Sequence, residues 1–178
     1  MLVLLDRDGV INEDSPNYVR APSEWAPLAG SLQAIARLSQ AGSKIAVCSN
    51  QAGVGKGVLT MADLDAVNRT MSTAVAEAGG RIDGVFCCTH SPEQRCGCRK
   101  PAPGLLLQAM AALGSSARET TFIGDSPRDV AAALAAGCAP ILVRTGHGAQ
   151  SEESVRKLGI ELVFDDLAAA VDWLLRQC

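Results

Sequence analysis

Leu2-Val3-Leu4-Leu5-Asp6-Arg7-Asp8-Gly9 opens the chain with an all-apolar run that ends in two carboxylates separated by one residue. A run without polar alternation reads as a strand buried on both faces, hence parallel, and open parallel sheets bind ligands beyond the carboxyl ends of their strands. Asp6 and Asp8 stand at that edge. Taken alone, Asp-x-Asp-Gly also serves as a strand-ending turn; the rest of the chain decides between the two.

Further strand-like runs fall at 44–48, 82–87, 120–123, 140–143 and 161–164. Between them, helical periodicity covers 31–40, 60–78, 103–113, 128–136, 152–158 and 167–176. Gly42, Gly79, Gly114, Gly137 and Gly159 each stand where such a helix should stop. Thr60 with Asp63 three residues on supports a helix start there. Strands alternating with helices predict an α/β fold, a doubly wound, Rossmann-like parallel sheet with helices on both faces. The 178 residues suit a single domain, 1–178, and 48% hydrophobic but only 3% aromatic content implies a core of Ala, Val, Leu and Ile.

A net charge of -3 with mixed signs gives no basic face, so nucleic acid is not an expected partner. No stretch is apolar enough to span a bilayer, and the first charge at Asp6 comes too early for a signal peptide, so the expectation is a cytoplasmic monomer acting on a small molecule. Seven Cys are an odd count, and three of them share a short loop with a His, which fits metal better than disulfides.

Four segments carry polar residues that this topology gathers at one crevice: Asp6-Arg7-Asp8-Gly9, Ser49-Asn50, Arg99-Lys100-Pro101, and Gly124-Asp125-Ser126 with Asp129 behind. Arg99-Lys100 differs in following a Cys-rich loop. A carboxylate can approach an anionic phosphoryl group only if cations neutralise both, and Mg²⁺ with a Lys is the usual solution.

Together the four motifs, in this order, resemble the haloacid dehalogenase superfamily of phosphotransferases. The resemblance implies that Asp6 is the nucleophile, forming an aspartyl phosphate, and that Asp8 is the general acid and then base. It implies Mg²⁺ held by Asp6, Asp125 and the Asp8 backbone carbonyl. Ser49 would donate to a phosphoryl oxygen, Asn50 would help through its backbone or amide, and Lys100 would neutralise the transferring group. Asp129 either orients Lys100 or the metal ligands from behind, or only stabilises a helix N-terminus. Ser49-Asn50 alone also suits a turn.

Cys88-Thr89-His90 and Cys96-Gly97-Cys98 give four soft or borderline ligands within eleven residues, a set that suits a structural, tetrahedral Zn²⁺; the other reading is a metal-free loop. Cys87 should face the opposite side of its strand and join the core. Cys48, Cys138 and Cys178 show no partner in the sequence. With Asp6-Arg7-Asp8-Gly9-Val10-Ile11-Asn12 and Ser49-Asn50-Gln51-Ala52-Gly53, the loop resembles the D-glycero-D-manno-heptose 1,7-bisphosphate 7-phosphatases, of nucleotide-activated heptose synthesis for bacterial surface polysaccharide. Histidinol-phosphate phosphatases share the motifs and a similar loop. The short His90–Cys96 spacing and Val10, where many relatives carry Thr, are departures.

The spacings 12–49 and 49–99 leave no room for a cap domain, so the site should be open, with specificity in the loops around it. Asp14, Tyr18, Gln51 and Arg99 are the rim candidates: Asp14 and Gln51 for sugar hydroxyls, Tyr18 for packing on the substrate, Arg99 for a second phosphate. Val54-Gly55-Lys56-Gly57 lacks P-loop spacing and reads as a flexible loop. His147 has no acid partner in view and reads as a loop residue. Two further classes fit the sequence less well: a silent phosphate-binding protein, opposed by the intact Asp6, Asp8, Lys100 and Asp125 set, and a polynucleotide phosphatase, opposed by the lack of a basic stripe.

Overall fold

A computed structural model describes residues 1–177. Six strands form one all-parallel sheet: β1 (Leu2–Leu5), β2 (Lys44–Asn50), β3 (Gly84–Cys88), β4 (Thr120–Gly124), β5 (Ala139–Val143) and β6 (Val163–Phe164). Their order is β3-β2-β1-β4-β5-β6, so the chain builds outward from β1 to one edge and then returns to build the other half from β4. The strand order reverses between β1 and β4, and that gap is where an open sheet binds its ligand. Leu5 pairs in register with Val47 and Ile123, which lines up the ends of the three central strands.

The helices are α1 (Ser31–Gln40), α2 (Ala52–Gly55), α3 (Met61–Glu77), α4 (Gly104–Leu113), α5 (Pro127–Ala136), α6 (Gly148–Arg156) and α7 (Leu167–Leu175). Side chains alternate across the sheet, so β1 divides between two cores. Val3 and Leu5 pack with Ile45, Val47 and Ile123 against α1, α3 and α7, whereas Leu2 and Leu4 pack with Ala46, Cys48 and Phe122 against α4 and α5. All four β1 residues are buried, which is why the run shows no polar alternation. Thr60 and Asp63 cap α3 reciprocally, as the spacing predicts.

Three local expectations need correction. The segment read as a flexible loop at 54–57 begins inside the short helix α2. Helix α6 starts at Gly148, four residues before the expected position 152, because its first turn is closed by Ser151, whose backbone N–H and hydroxyl both donate to the His147 carbonyl. Cys87 does face away from Cys88, but β3 is an edge strand, and Cys87 is only partly buried beside α3, where the Asn68 amide approaches its sulfur at 3.7 Å. Cys48 and Cys138 lie in the core with weak thiol contacts to the Leu105 carbonyl and the Met110 sulfur, and Cys178 lies outside the described residues.

Candidate active site

The carboxyl ends of β1, β2 and β4 open into a cavity of about 270 Å³ lined by Asp6, Asp8, Ser49, Lys100, Asp125 and Asp129 among others. Asp6 leaves β1 with its backbone N–H still bonded to the Ile123 carbonyl of β4, so its side chain is fixed by the sheet itself. One carboxylate oxygen accepts from the Arg7 backbone N–H at 2.8 Å, and the other meets Lys100 Nζ at 2.8 Å. Lys100 also pairs with Asp129 at 2.7 Å and lies 5.2 Å from the centre of the Phe122 ring. Its ammonium is 2% exposed, so solvent contributes almost nothing to stabilising it and the two carboxylates must. Burial works against its charge, but Asp129 and Asp6 more than offset this and hold the ammonium above the usual lysine range.

Asp129 does two jobs at once. Its Oδ2 accepts from the backbone N–H and hydroxyl of Ser126, capping α5, while Oδ1 faces Lys100. The helix-capping and Lys100-orienting readings of the sequence therefore coexist in one side chain.

Asp125 follows β4 and accepts the His147 backbone N–H at 2.8 Å on Oδ2, leaving Oδ1 without a donor among the described residues. The backbone crowds this carboxylate: a Cβ built on Gly9 or Gly146 would lie 2.2 or 2.1 Å from Asp125 Oδ2, and both glycines have φ in the left-handed region. Carboxylate oxygens of Asp6, Asp125 and Asp129 lie within 4.8 Å of one another. Burial pushes Asp6 up to about 8, with Lys100 pulling down and Asp129 and Asp125 pushing further up; burial and the Asp129 charge also lift Asp125 to about 6, against the His147 N–H. Three carboxylates share a single ammonium, so the cluster is short of positive charge. Hard oxygen donors with that deficit fit a divalent cation such as Mg²⁺.

Asp8 points to the other side of the cavity and is held from three directions. Arg7, whose side chain is 1% exposed, donates from Nε and Nη2 to both carboxylate oxygens at 3.0–3.1 Å; Asn12 donates at 2.9 Å and Gln51 at 2.8 Å. Arg7 is in turn steadied by Asn68 of α3. Neither Arg7 nor Asn12 was assigned a role from the sequence, because an Arg between two Asp reads as a surface residue until the strand ending is known.

Two of the residues expected to meet the substrate also hold parts of the protein in place. Gln51 is 2% exposed, and its amide nitrogen donates to Asp8 at 2.8 Å and to the Ser49 hydroxyl at 2.9 Å, bracing those two side chains at the cavity wall. The Asn50 amide exchanges two 3.0 Å hydrogen bonds with the backbone of Lys100, so it positions that lysine; its second N–H and its backbone stay available at the cavity wall, which it lines. Ser49 is buried at the cavity wall. Asp14, Tyr18 and Arg99 line the same cavity. Asp14 is not free, however: it meets His147 Nε2 at 2.9 Å, which supplies the acid partner the sequence did not reveal and brings His147 into the cavity wall. Lys56, Ser126 and Arg128 also line the cavity, and none of them is among the rim candidates read from the sequence.

The Cys-rich loop leads straight into this site. Five contacts among Cys88 Sγ, His90 Nδ1, Cys96 Sγ and Cys98 Sγ measure 3.3–3.6 Å, and no disulfide joins them. A tetrahedral ion with bonds of about 2.0–2.3 Å separates its ligand atoms by about 3.5–3.8 Å, so the four donors fit Zn²⁺ with little movement. Burial opposes it, yet the Cys98 thiol and the Arg99 backbone N–H hold the Cys96 thiol down at about 6, closer to the thiolate a metal requires. The loop is a closed set of four ligands two residues from Lys100, suited to holding and not to reacting.

A family model described as HAD-hydrolase-like matches residues 97–170. The chain is 44% identical over 180 residues to the D-glycero-beta-D-manno-heptose-1,7-bisphosphate 7-phosphatase of Pseudomonas aeruginosa, covering 98% of each protein. It is 42% identical over 176 residues to the enzyme of the same name from Bordetella bronchiseptica, covering 99% of this chain and 98% of the relative. Among solved structures, the D,D-heptose 1,7-bisphosphate phosphatase of B. bronchiseptica, complexed with magnesium and phosphate, superposes with a TM-score of 0.91 at 41% identity over 99% of both chains. The Burkholderia thailandensis enzyme gives 0.70 at 38% identity over 97% of both chains. With sequence identity at this level along almost the whole length, the chain belongs to the D-glycero-beta-D-manno-heptose-1,7-bisphosphate 7-phosphatase family of HAD-like hydrolases.

Proposed function

We propose that the protein hydrolyses the 7-phosphate of D-glycero-β-D-manno-heptose 1,7-bisphosphate through an aspartyl phosphate on Asp6. The observation that carries the chemistry is the buried Lys100 shared by Asp6 and Asp129, at 2.8 and 2.7 Å, with Asp125 alongside. The Asp6 carboxylate attacks phosphorus, the bond to the sugar oxygen breaks, and Asp8 gives that oxygen its proton. Water then attacks the aspartyl phosphate, Asp8 takes a proton from it, and Asp6 is released with inorganic phosphate. Arg7, Asn12 and Gln51 keep Asp8 aimed through both steps. Because Gln51 donates to the Ser49 oxygen, the Ser49 hydroxyl hydrogen is free for a phosphoryl oxygen. Asp6, Asp125 and the Asp8 backbone carbonyl would hold Mg²⁺, which when bound supplies the positive charge that lets a carboxylate meet a phosphoryl group.

Wild-type protein with Mg²⁺ should release phosphate from the heptose bisphosphate, leaving the 1-phosphate in place by ³¹P NMR, with a far higher kcat/KM than for histidinol phosphate. The reverse preference would transfer the chain to the second substrate. Arg99, at the cavity wall with Nη1 3.4 Å from the His90 carbonyl, would meet the retained phosphate. Arg99→Ala should raise KM for the bisphosphate and spare a monophosphate; equal losses on both would remove Arg99 from substrate choice.

Zn²⁺ held by Cys88, His90, Cys96 and Cys98 is proposed as the core of the loop that carries Arg99 and Lys100. Elemental analysis of protein purified without added metal should find one zinc per chain. Stripping it with a thiol-reactive agent and a chelator, with Mg²⁺ restored in excess, should lower both melting temperature and kcat. Full activity at zero zinc would reduce the cluster to a loop.

A further inference from the structure

Among the described residues, six basic side chains on this surface face a carboxylate, among them Arg20 with Glu24, Arg81 with Asp83, Arg144 with Glu152 and Asp165, and Lys157 with Glu153; the unpaired ones are scattered except at the active site. Lys56, Arg99 and Arg128 line the active-site cavity, and among the described residues none has a carboxylate within ion-pair distance. Arg128, the second residue of α5, is exposed, and Asp129, the carboxylate its charge acts on, has both oxygens occupied by Lys100 and Ser126.

A second cavity of about 380 Å³ adjoins the first and shares Arg99, Lys100 and Arg128 with it. Arg95 completes a lining that holds four cations and no carboxylate. The catalytic cavity, by contrast, is lined by Asp6, Asp8, Asp14, Asp125 and Asp129. A dianion beyond the one being transferred would be repelled by those carboxylates without added cations; at the second cavity Lys100 is matched by Asp6 and Asp129 and the Glu93 charge acts on Arg99, while Arg95 and Arg128 have no ion-paired carboxylate. Like charges gathered without counter-charge repel one another, a cost that an incoming anion removes.

We propose that Arg128 is a specificity-determining residue: it stands on the boundary of the two cavities and binds the phosphate that the substrate keeps, next to Arg99. This rests on the bisphosphate reading above. A charge-assisted hydrogen bond to phosphate amounts to about tenfold or more in affinity. Arg128→Gln should therefore raise KM for the heptose 1,7-bisphosphate about tenfold while kcat and the KM for heptose 7-phosphate each change less than about twofold. Arg128→Lys should recover part of the loss. Equal effects on both substrates, or none on either, would overturn the assignment. The residue is exposed, so an unchanged melting curve is expected for the variant. Should wild-type protein leave the heptose bisphosphate untouched, the proposed function fails, and calorimetric titration with glucose 1,6-bisphosphate and glucose 6-phosphate decides Arg128 separately. Loss of affinity for the bisphosphate alone upholds its role; any other pattern removes it.

Discussion

Asp6→Asn is expected to leave no measurable phosphate release and no phosphorylated protein, because the substitution removes the nucleophilic oxygen while keeping the shape of the side chain. Asp8→Asn should also stop turnover, by a different route: with Asp6 intact, the protein can still accept a phosphoryl group from an ester whose leaving oxygen needs no proton, such as p-nitrophenyl phosphate. Acid-quenched mass spectrometry separates the two variants. Trapped phosphate on Asp6 in the Asp8 variant and none in the Asp6 variant is the expected pair of results. A phosphoryl group on any other residue would overturn the covalent assignment.

Lys100→Met carries the second large effect, and it acts on stability as well as rate. Removing one partner of a buried charge pair costs about 3–5 kcal/mol, because the remaining charge is left without compensation. Here two carboxylates, Asp6 and Asp129, would lose the same ammonium at 2.8 and 2.7 Å. The melting temperature should fall in metal-free buffer and recover in part when Mg²⁺ is added, since a cation at the cluster replaces some of the missing charge. The rate should not recover: loss of a preorganised group aimed at the transferring phosphoryl lowers kcat by about 10²-fold or more. A Lys100→Met variant with near-native kcat would place the stabilising charge elsewhere.

The gathering of Asp6, Ser49 and Asp125 at one edge was legible because each directly follows an apolar run, and parallel strands put all such positions on the same side. Lys100 was less directly legible, since it follows no strand and was read from the need for a cation beside the phosphoryl group; its anchor is the Asn50 amide, fifty residues earlier in the chain. The functions of polar side chains were the least legible. Gln51 and Asn50 look like surface amides in a list of residues, and nothing in local spacing says that one braces Asp8 and the other holds the Lys100 backbone. The pairing of Asp14 with His147 spans 133 positions and depends on two loops meeting over the sheet, which periodicity cannot report. The early start of α6 belongs to the same cause: Ser151 closes on His147, and a helix end set by one hydroxyl leaves no apolar pattern behind.

The bond between Asn50 and Lys100 also divides the molecule into parts that can change independently. Asp6, Asp8, Ser49 and Asp125 stand on or directly beyond strand ends, and Lys100 is tied to the tip of β2 by the two Asn50 hydrogen bonds. Asp14, Lys56, Arg99 and Arg128, which line the rest of the cavity, belong to loops or to the outer turn of a helix. Exchanging the loops would therefore offer the same reaction to a different phosphate ester, with the sheet untouched. A lineage could acquire new substrates on this scaffold by altering its periphery alone.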